Sequence, residues 1–291
     1  MPVDERHHVL ARLNAFSYPR EFSHKHFVYT VISTRARGLC IGVNVNPDRN
    51  CNFDCLYCEV DRSLPSAEPK VNVNVMAVEL HRTLADIVRG KLRSHPQYQM
   101  LPDELLKLRH VTLSGDGEPT LATNFEEVVE TVVHVRALGE FPFFKIVLLT
   151  NAAGLDLAPV RAGLAHLIKS DEIWAKLDAG SPEYLNKIAR PQSITLEKIL
   201  SNILVVARQR PVVIQSLFPS INGEEPTIAE IDQYIARLKK LKDDGAQISL
   251  VQIYSATRPN SHPECGHLPL RTLSQIALAV RQTTGFKAEV F

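Results

Sequence analysis

The chain has 291 residues, enough to bury a full core in one domain, since α/β barrels often run to about 250 residues. Hydrophobic residues make up 45% and charged residues 22%, which excludes a charge-dominated, disordered chain. The net charge of +1 points to neither nucleic acid nor an anionic membrane, and no apolar run approaches the roughly 18 residues that span a bilayer. Apolar β-branched runs alternate with amphipathic segments, the pattern of βα units around a parallel sheet. Residues 39–45 read as a first strand, followed by an irregular stretch over 46–75 punctuated by Pro47, Pro65 and Pro69. A helix over 76–92 carries helical apolar spacing at Val78, Leu84, Ile87 and Val88. Strands follow at 110–114, 145–150, 172–177, 212–217 and 247–254. Their helices fall at 124–138, 157–167, 195–208, 227–241 and 270–282, with Asn124 placed to cap the first of these. Residues 287–291 read as a short edge strand.

Six strand–helix pairs are too few for the eight of a closed barrel, which leaves an open partial barrel or a doubly wound sheet. Both put functional sites at the carboxyl ends of the strands. The motif Cys51-Asn52-Phe53-Asp54-Cys55-Leu56-Tyr57-Cys58 begins a few residues past the end of the first strand. It supplies three soft thiolates and no evident fourth ligand: no His lies between His26 and His81, and Cys40 and Cys265 form no second pair. A structural zinc ion takes four donors, usually as two pairs, and that reading stays open as an alternative. Iron–sulfur cubanes are usually held by four thiolates, so three leave one iron with an open position.

The second strand ends in Ser114-Gly115-Asp116-Gly117-Glu118-Pro119-Thr120, a turn that leaves backbone groups uncovered for a ligand or simply closes a tight connection. Thr150 and Asn151 end the third strand, where a helix cap is the plain explanation. Lys176 and Asp178 end the fourth and share a face, so an ammonium and a carboxylate meet at the mouth if that face is interior. Gln215 and Gln252 interrupt otherwise apolar runs and are either ligand contacts or satisfied core amides, with Gln252 the better ligand candidate.

The three-cysteine run, with Tyr57 before its last cysteine, resembles the signature of the radical S-adenosylmethionine (SAM) superfamily, and the glycine turn resembles that family's Gly-Gly-Glu-Pro element with Asp116 at the first glycine position. The resemblance implies an open partial (β/α)6 barrel over residues 38–291, behind a short extension over 1–37. It also implies a [4Fe-4S] cluster on Cys51, Cys55 and Cys58, with SAM chelating the fourth iron through its amino and carboxylate groups. Reductive cleavage of SAM then yields methionine and a 5′-deoxyadenosyl radical that abstracts hydrogen from a substrate. By the same resemblance, Gly115, Asp116 and Gly117 line the SAM amino group while Glu118 adds charge or anchors the turn. Asn151 lies near the cofactor, Asp178 is the candidate for the ribose, Arg190 for the SAM carboxylate, and Tyr57 flanks the adenine or packs the loop. Gln252 is a further candidate contact, and Arg258 could face substrate.

The wider phrases around both motifs look most like the subgroup of wyosine-forming tRNA enzymes, which carry a second cluster and a reactive lysine. Cys40 and Cys265 cannot build a second cluster, while Lys176 is available as a Schiff-base lysine or as a partner of Asp178. An electron donor such as flavodoxin or ferredoxin is implied, with a small molecule, peptide or tRNA as substrate. Residues 1–50 are mildly basic and interleaved with aromatics, which suits an RNA-binding arm or a solvated lead-in. The start Met1-Pro2-Val3-Asp4-Glu5 is unlike a secretory signal, and five cysteines, three of them clustered, suit a reducing compartment, so the expected location is cytoplasmic.

Overall fold

The six parallel strands expected from the sequence form the centre of one eight-stranded sheet in a computed structural model that describes residues 20, 25–62, 68–258 and 262–291. In chain order the strands are β1 (Val28–Ser33), β2 (Gly38–Asn44), β3 (Leu108–Ser114), β4 (Lys145–Thr150), β5 (Glu172–Lys176), β6 (Val212–Leu217), β7 (Ser220–Ile221), β8 (Ile248–Tyr254), β9 (Cys265–Gly266) and β10 (Ala288–Val290). The large sheet runs β1-β2-β3-β4-β5-β6-β8-β10, while β7 and β9 pair separately. Every neighbour from β2 to β10 is parallel; only β1 is antiparallel, on β2. A doubly wound sheet reverses its strand order at a switch point. This order never reverses and β1 does not pair with β10, so the sheet is an open partial barrel.

Burial explains why these runs are strands. All seven residues of β2 and all six of β6 are buried, as expected of parallel strands covered on both faces. The covering helices are α1 (Val73–Val88), α2 (Asp103–Leu106), α3 (Phe125–Ala137), α4 (Ala158–Ala165), α5 (Pro182–Ile188), α6 (Leu196–Gln209), α7 (Ile228–Asp243) and α8 (Leu270–Thr284). Helix α1 starts three residues before the expected 76 because Asn72 caps it, accepting from the N–H groups of Asn74 and Val75. It ends short of 92 at Arg89, before Gly90 in the left-handed region (φ 69°). Thr195 and Thr227 cap α6 and α7 through side-chain oxygens. Asn124 stands at the cap position of α3, but its side chain does not cap: Nδ2 donates instead to the Val71 carbonyl at 2.9 Å. Helix α5 and the β7–β9 pair were not expected.

Strand β1 lies inside the segment read as an extension, of which residues 1–19 and 21–24 are outside the described residues. The buried Glu79 of α1 fastens β1, accepting from the N–H groups of His26, Phe27 and Val28 at 2.8, 2.9 and 3.1 Å. The β1–β2 turn then crosses the barrel interior. Ala36 packs on a cluster of Val147, Trp174 and Val213, and Arg37 reaches Glu289 of β10 at 2.7 Å. Side chains thus bridge the two edges that no backbone ladder joins. Among the described residues, no helix is long and apolar enough to cross a membrane.

Candidate active site

The loop after β2 is placed by backbone hydrogen bonds. Leu56 N–H donates to Ile188 O (2.8 Å), Asp54 N–H to Ala189 O (3.2 Å) and Gln192 N–H to Asn52 O (2.8 Å), so the loop docks on the chain leaving α5. Phe53 and Leu56 sink into the core between the cysteines. Alternation of buried apolar anchors with Cys51, Cys55 and Cys58 leaves the thiols half-buried on the other side, where all three line one cavity of about 310 Å³. Burial raises the thiol pKa of Cys51 and pushes that of Cys55 up to about 12. A metal must therefore displace these protons to bind.

The glycine turn forms the facing wall. Glu118 N–H donates to Asn50 O at 2.9 Å, and a Cβ on Gly117 would lie 1.9 Å from that same oxygen. A Cβ on Gly115 would lie 2.6 Å from Asn46 Oδ1. Glycine is required at 117 because the turn and the cysteine loop touch backbone to backbone there, whereas at 115 the crowding comes first from the Asn46 side chain. Asp116 is held by Asn44, which donates from Nδ2 at 2.9 Å, and by Arg20 at 2.6 Å. Glu118 is buried and accepts from Thr120 N–H (3.1 Å), Thr120 Oγ1 (2.7 Å), Asn151 N–H (2.8 Å) and Thr150 Oγ1. Burial raises its pKa despite these donors. Its carboxyl group is an anchor between the ends of β3 and β4. Asn151 lines the cavity and returns its Nδ2 to Asn52 Oδ1 at 2.7 Å. Helix α4 begins only at Ala158, so neither Thr150 nor Asn151 caps it.

At the mouth, Lys176 and Asp178 meet as their shared face requires, with Nζ 3.2 Å from Oδ2. Lys176 also donates to Tyr254 Oη at 3.2 Å and sits 4.7 Å above the Tyr57 ring. Burial pulls the lysine pKa down, but Asp178 and Tyr254 outweigh it and hold the ammonium charged. A Schiff-base nucleophile needs the opposite, a neutral amine. Both oxygens of Asp178 are engaged: Oδ1 accepts from Leu217 N–H at 2.7 Å and Oδ2 from the Tyr57 hydroxyl. Burial, then Asp178, raises the Tyr57 pKa.

Three candidates lie outside the cavity lining: Asp178, Arg190 and Gln252. Arg190 stands 3.9 Å from Asp54 and 3.7 Å from Glu264, bracing the cysteine loop from behind. Gln252 Oε1 accepts from Gln215 Nε2 at 2.7 Å, so Gln252 is a core partner of Gln215 rather than part of the cavity wall where a ligand contact was expected, while Gln215 Oε1 has no partner among the described residues. Arg258 does line the cavity, paired with Glu59 at 3.2 Å. Sequence reasoning missed Arg35, Arg62, His110 and Trp174, which also line it. Arg62 donates to Phe53 O at 2.7 Å and approaches Cys58 Sγ at 3.9 Å, steadying the loop. Among the described residues, no three or more His, Cys, Asp or Glu side chains converge to hold a single metal ion. Three thiolates on one cavity, with no fourth protein ligand among the described residues, fit an iron–sulfur cube, where each sulfur takes its own iron.

Residues 45–227 match the radical SAM superfamily. A UPF0026 protein of Synechocystis sp. is 31% identical over 179 residues, covering 60% of this chain and 57% of its own length. A UPF0026 protein of Helicobacter pylori is 25% identical over 240 residues, covering 80% of this chain and 67% of its own. The chain therefore spans little more than half the length of the Synechocystis relative. A structure of TYW1 with a lysine–pyruvate adduct bound superposes with a TM-score of 0.58 at 15% identity, covering 99% of this chain and 91% of that one. Streptococcus suis SuiB bound to S-adenosylmethionine superposes with a TM-score of 0.58 at 12% identity, covering 88% and 52%. These structural likenesses establish a common fold. With more than half its length matching the family, three cysteines on one cavity and an open parallel barrel beneath them, this chain belongs to the radical SAM superfamily, whose enzymes use a [4Fe-4S] cluster and SAM.

Proposed function

We propose that this chain is an enzyme in which Cys51, Cys55 and Cys58 hold a [4Fe-4S] cluster and the adjoining glycine turn receives SAM. The observation that carries this is the backbone contact between the two motifs, Glu118 N–H to Asn50 O at 2.9 Å, which makes the cysteines and the turn one surface. Bound there, the cluster and SAM supply one-electron cleavage of a sulfonium and hydrogen-atom abstraction from substrate. The chain's own residues bind, orient and shield. Gly115, Asp116 and Gly117 present backbone carbonyls to the SAM amino group, with Asp116 held off by Asn44 and Arg20. Glu118 fixes the turn, Asn151 ties it to the cysteine loop, and Tyr57 is oriented by Asp178. Lys176 keeps a positive charge at the mouth, where it favours anionic groups over cationic ones. Arg190 and the Gln215–Gln252 pair support the loop and the core rather than the cofactor.

A flavodoxin- or ferredoxin-type donor supplies the electron, and a reducing, cytoplasmic setting keeps the thiolates competent for cluster assembly. The test is anaerobic reconstitution. The wild type is expected to hold about four iron and four sulfide per chain. With SAM and dithionite it should form methionine and 5′-deoxyadenosine, and Cys55→Ala should lose at least about 99% of that rate, as expected for removing a cluster ligand. A Cys55→Ala protein forming deoxyadenosine as fast as wild type, or a wild type that binds zinc in place of iron, would overturn the assignment.

A further inference from the structure

Among the described residues, five cationic side chains line the cavity: Arg20, Arg35, Arg62, Lys176 and Arg258. Four have acidic partners. Arg20 pairs with Asp116 at 2.6 Å, Lys176 with Asp178 at 3.2 Å, Arg258 with Glu59 at 3.2 Å and Arg62 with Asp54 at 3.8 Å. Arg35 has none. Its buried Nε makes no hydrogen bond, and its guanidinium carbon lies 4.4 Å from the centroid of the Tyr254 ring, stacked against that face. The side chain is part-buried, and a guanidinium partly withdrawn from water without an anionic partner carries a cost that a ligand's negative charge would remove.

The position is built. Arg35 sits in the turn between β1 and β2, closed by Arg37 N–H to Thr34 O at 3.0 Å. On one side of it Ala36 packs on Val147, Trp174 and Val213, and Arg37 is tied to Glu289. The turn carries Arg35 into the barrel from the end opposite the cysteine loop. The Tyr254 ring covers one side of the guanidinium, and a guanidinium's N–H edge, in its own plane, grips a carboxylate or phosphate with two parallel hydrogen bonds. The hydroxyls of Ser33 and Thr112 line the same cavity.

We propose that the substrate carries an oxyanion, a carboxylate or a phosphate, held in the plane of the Arg35 guanidinium against Tyr254, with the rest of the molecule lying along the cavity toward the cysteine loop. This rests on the reading of that cavity as the radical SAM site. Arg35 is then a specificity-determining residue, and it chooses among substrates by charge before any radical chemistry begins.

The experiment uses the anaerobically reconstituted holoenzyme. Deoxyadenosine formation by the wild type is measured first and reports on the functional reading alone. Benzoate and inorganic phosphate are then titrated separately by calorimetry into wild type, Arg35→Gln, Arg35→Lys and, as a control on a separate surface groove, Arg161→Gln. One anion is expected to saturate one site per chain, and the tighter binder names the substrate's acidic group. Arg35→Gln should weaken it by at least about tenfold, Arg35→Lys by several-fold because the fork is lost, and Arg161→Gln not at all. The same anion should raise the melting temperature of wild type and not that of Arg35→Gln. Without ligand, Arg35→Gln should melt at or above wild type, because no partner is stranded; a purely structural arginine would lower it. Should Arg35→Gln fail to fold, the structural role is favoured and the proposal is wrong. Equal affinity in wild type and Arg35→Lys, or binding of neither anion, contradicts it as well. A wild type that makes deoxyadenosine but ignores both anions defeats this proposal alone, whereas anion binding through Arg35 without deoxyadenosine formation defeats the functional reading.

Discussion

A methyl group on Gly117 would sit 1.9 Å from the Asn50 carbonyl oxygen, far inside van der Waals contact, and backbone cannot yield as a flexible side chain can. Gly117→Ala should therefore cost about 2 kcal/mol or more in urea unfolding and lower the iron retained per chain, since it forces the turn off the cysteine loop. Glu118 gives a second test. Glu118→Ala strands the Thr120 and Asn151 N–H groups in a buried place. At about 1–3 kcal/mol for each of the two unsatisfied donors, it should destabilise by roughly 2–6 kcal/mol, measured in the same way. The cysteines and the glycine turn were legible from sequence because their spacing is local. For Glu118 and Gln252 the sequence left two roles open, and it could not choose between them or name the partner of Asp178, because most of the deciding partners lie far along the chain. Asp178 is satisfied by Leu217 and by Tyr57, 39 and 121 positions away, and Gln252 by Gln215, 37 away. Arg35 carries no local signal at all, since it becomes notable only when four other cations of the cavity are seen to be paired and it, among the described residues, is not.

At the scale of elements, the parallel strands were readable because burial on both faces makes them continuous apolar runs, as in β2 and β6. Strand β1 escaped notice although Val28, Tyr29, Val31 and Ile32 have strand character, because the basic and aromatic residues around it read as a lead-in. Its turn does more than end a hairpin. The Arg37–Glu289 pair has side chains 69% and 26% exposed, so Arg37→Ala should cost only a few tenths of a kcal/mol. Ala36→Asp should cost several kcal/mol, since it drives a carboxylate against Val147, Trp174 and Val213. Thermal melts of the two variants, side by side, separate packing from surface charge as the force that holds the turn across the barrel. The caps make a smaller case: Thr227→Ala removes the acceptor for Glu230 N–H at 3.2 Å and should cost about 1 kcal/mol.

For the whole molecule, the barrel interior sets a pH limit. His110 is buried with its ring edge-on to Trp174, and burial, followed by Lys145 and Arg35, pulls its pKa from the ordinary 6.5 down to about 3. The folded state thus binds this proton less readily than the unfolded chain. Its contribution to stability is intact above about pH 6.5 and is withdrawn as pH falls toward 3, by up to about 1.4 kcal/mol per unit. His110→Phe should flatten the acid side of the stability profile relative to wild type, read from urea midpoints between pH 7 and pH 4.5 (roughly the acid-labile range). An unchanged slope would mean the imidazole titrates normally. The open barrel places that interior beneath the cysteine loop, so the chemistry depends on what the three thiolates leave vacant. Electron paramagnetic resonance of the dithionite-reduced, anaerobically reconstituted protein, with and without SAM, tests this most directly. A reduced cubane signal whose g-values shift when SAM is added is the predicted result; an identical spectrum in both samples would contradict an iron left open for SAM.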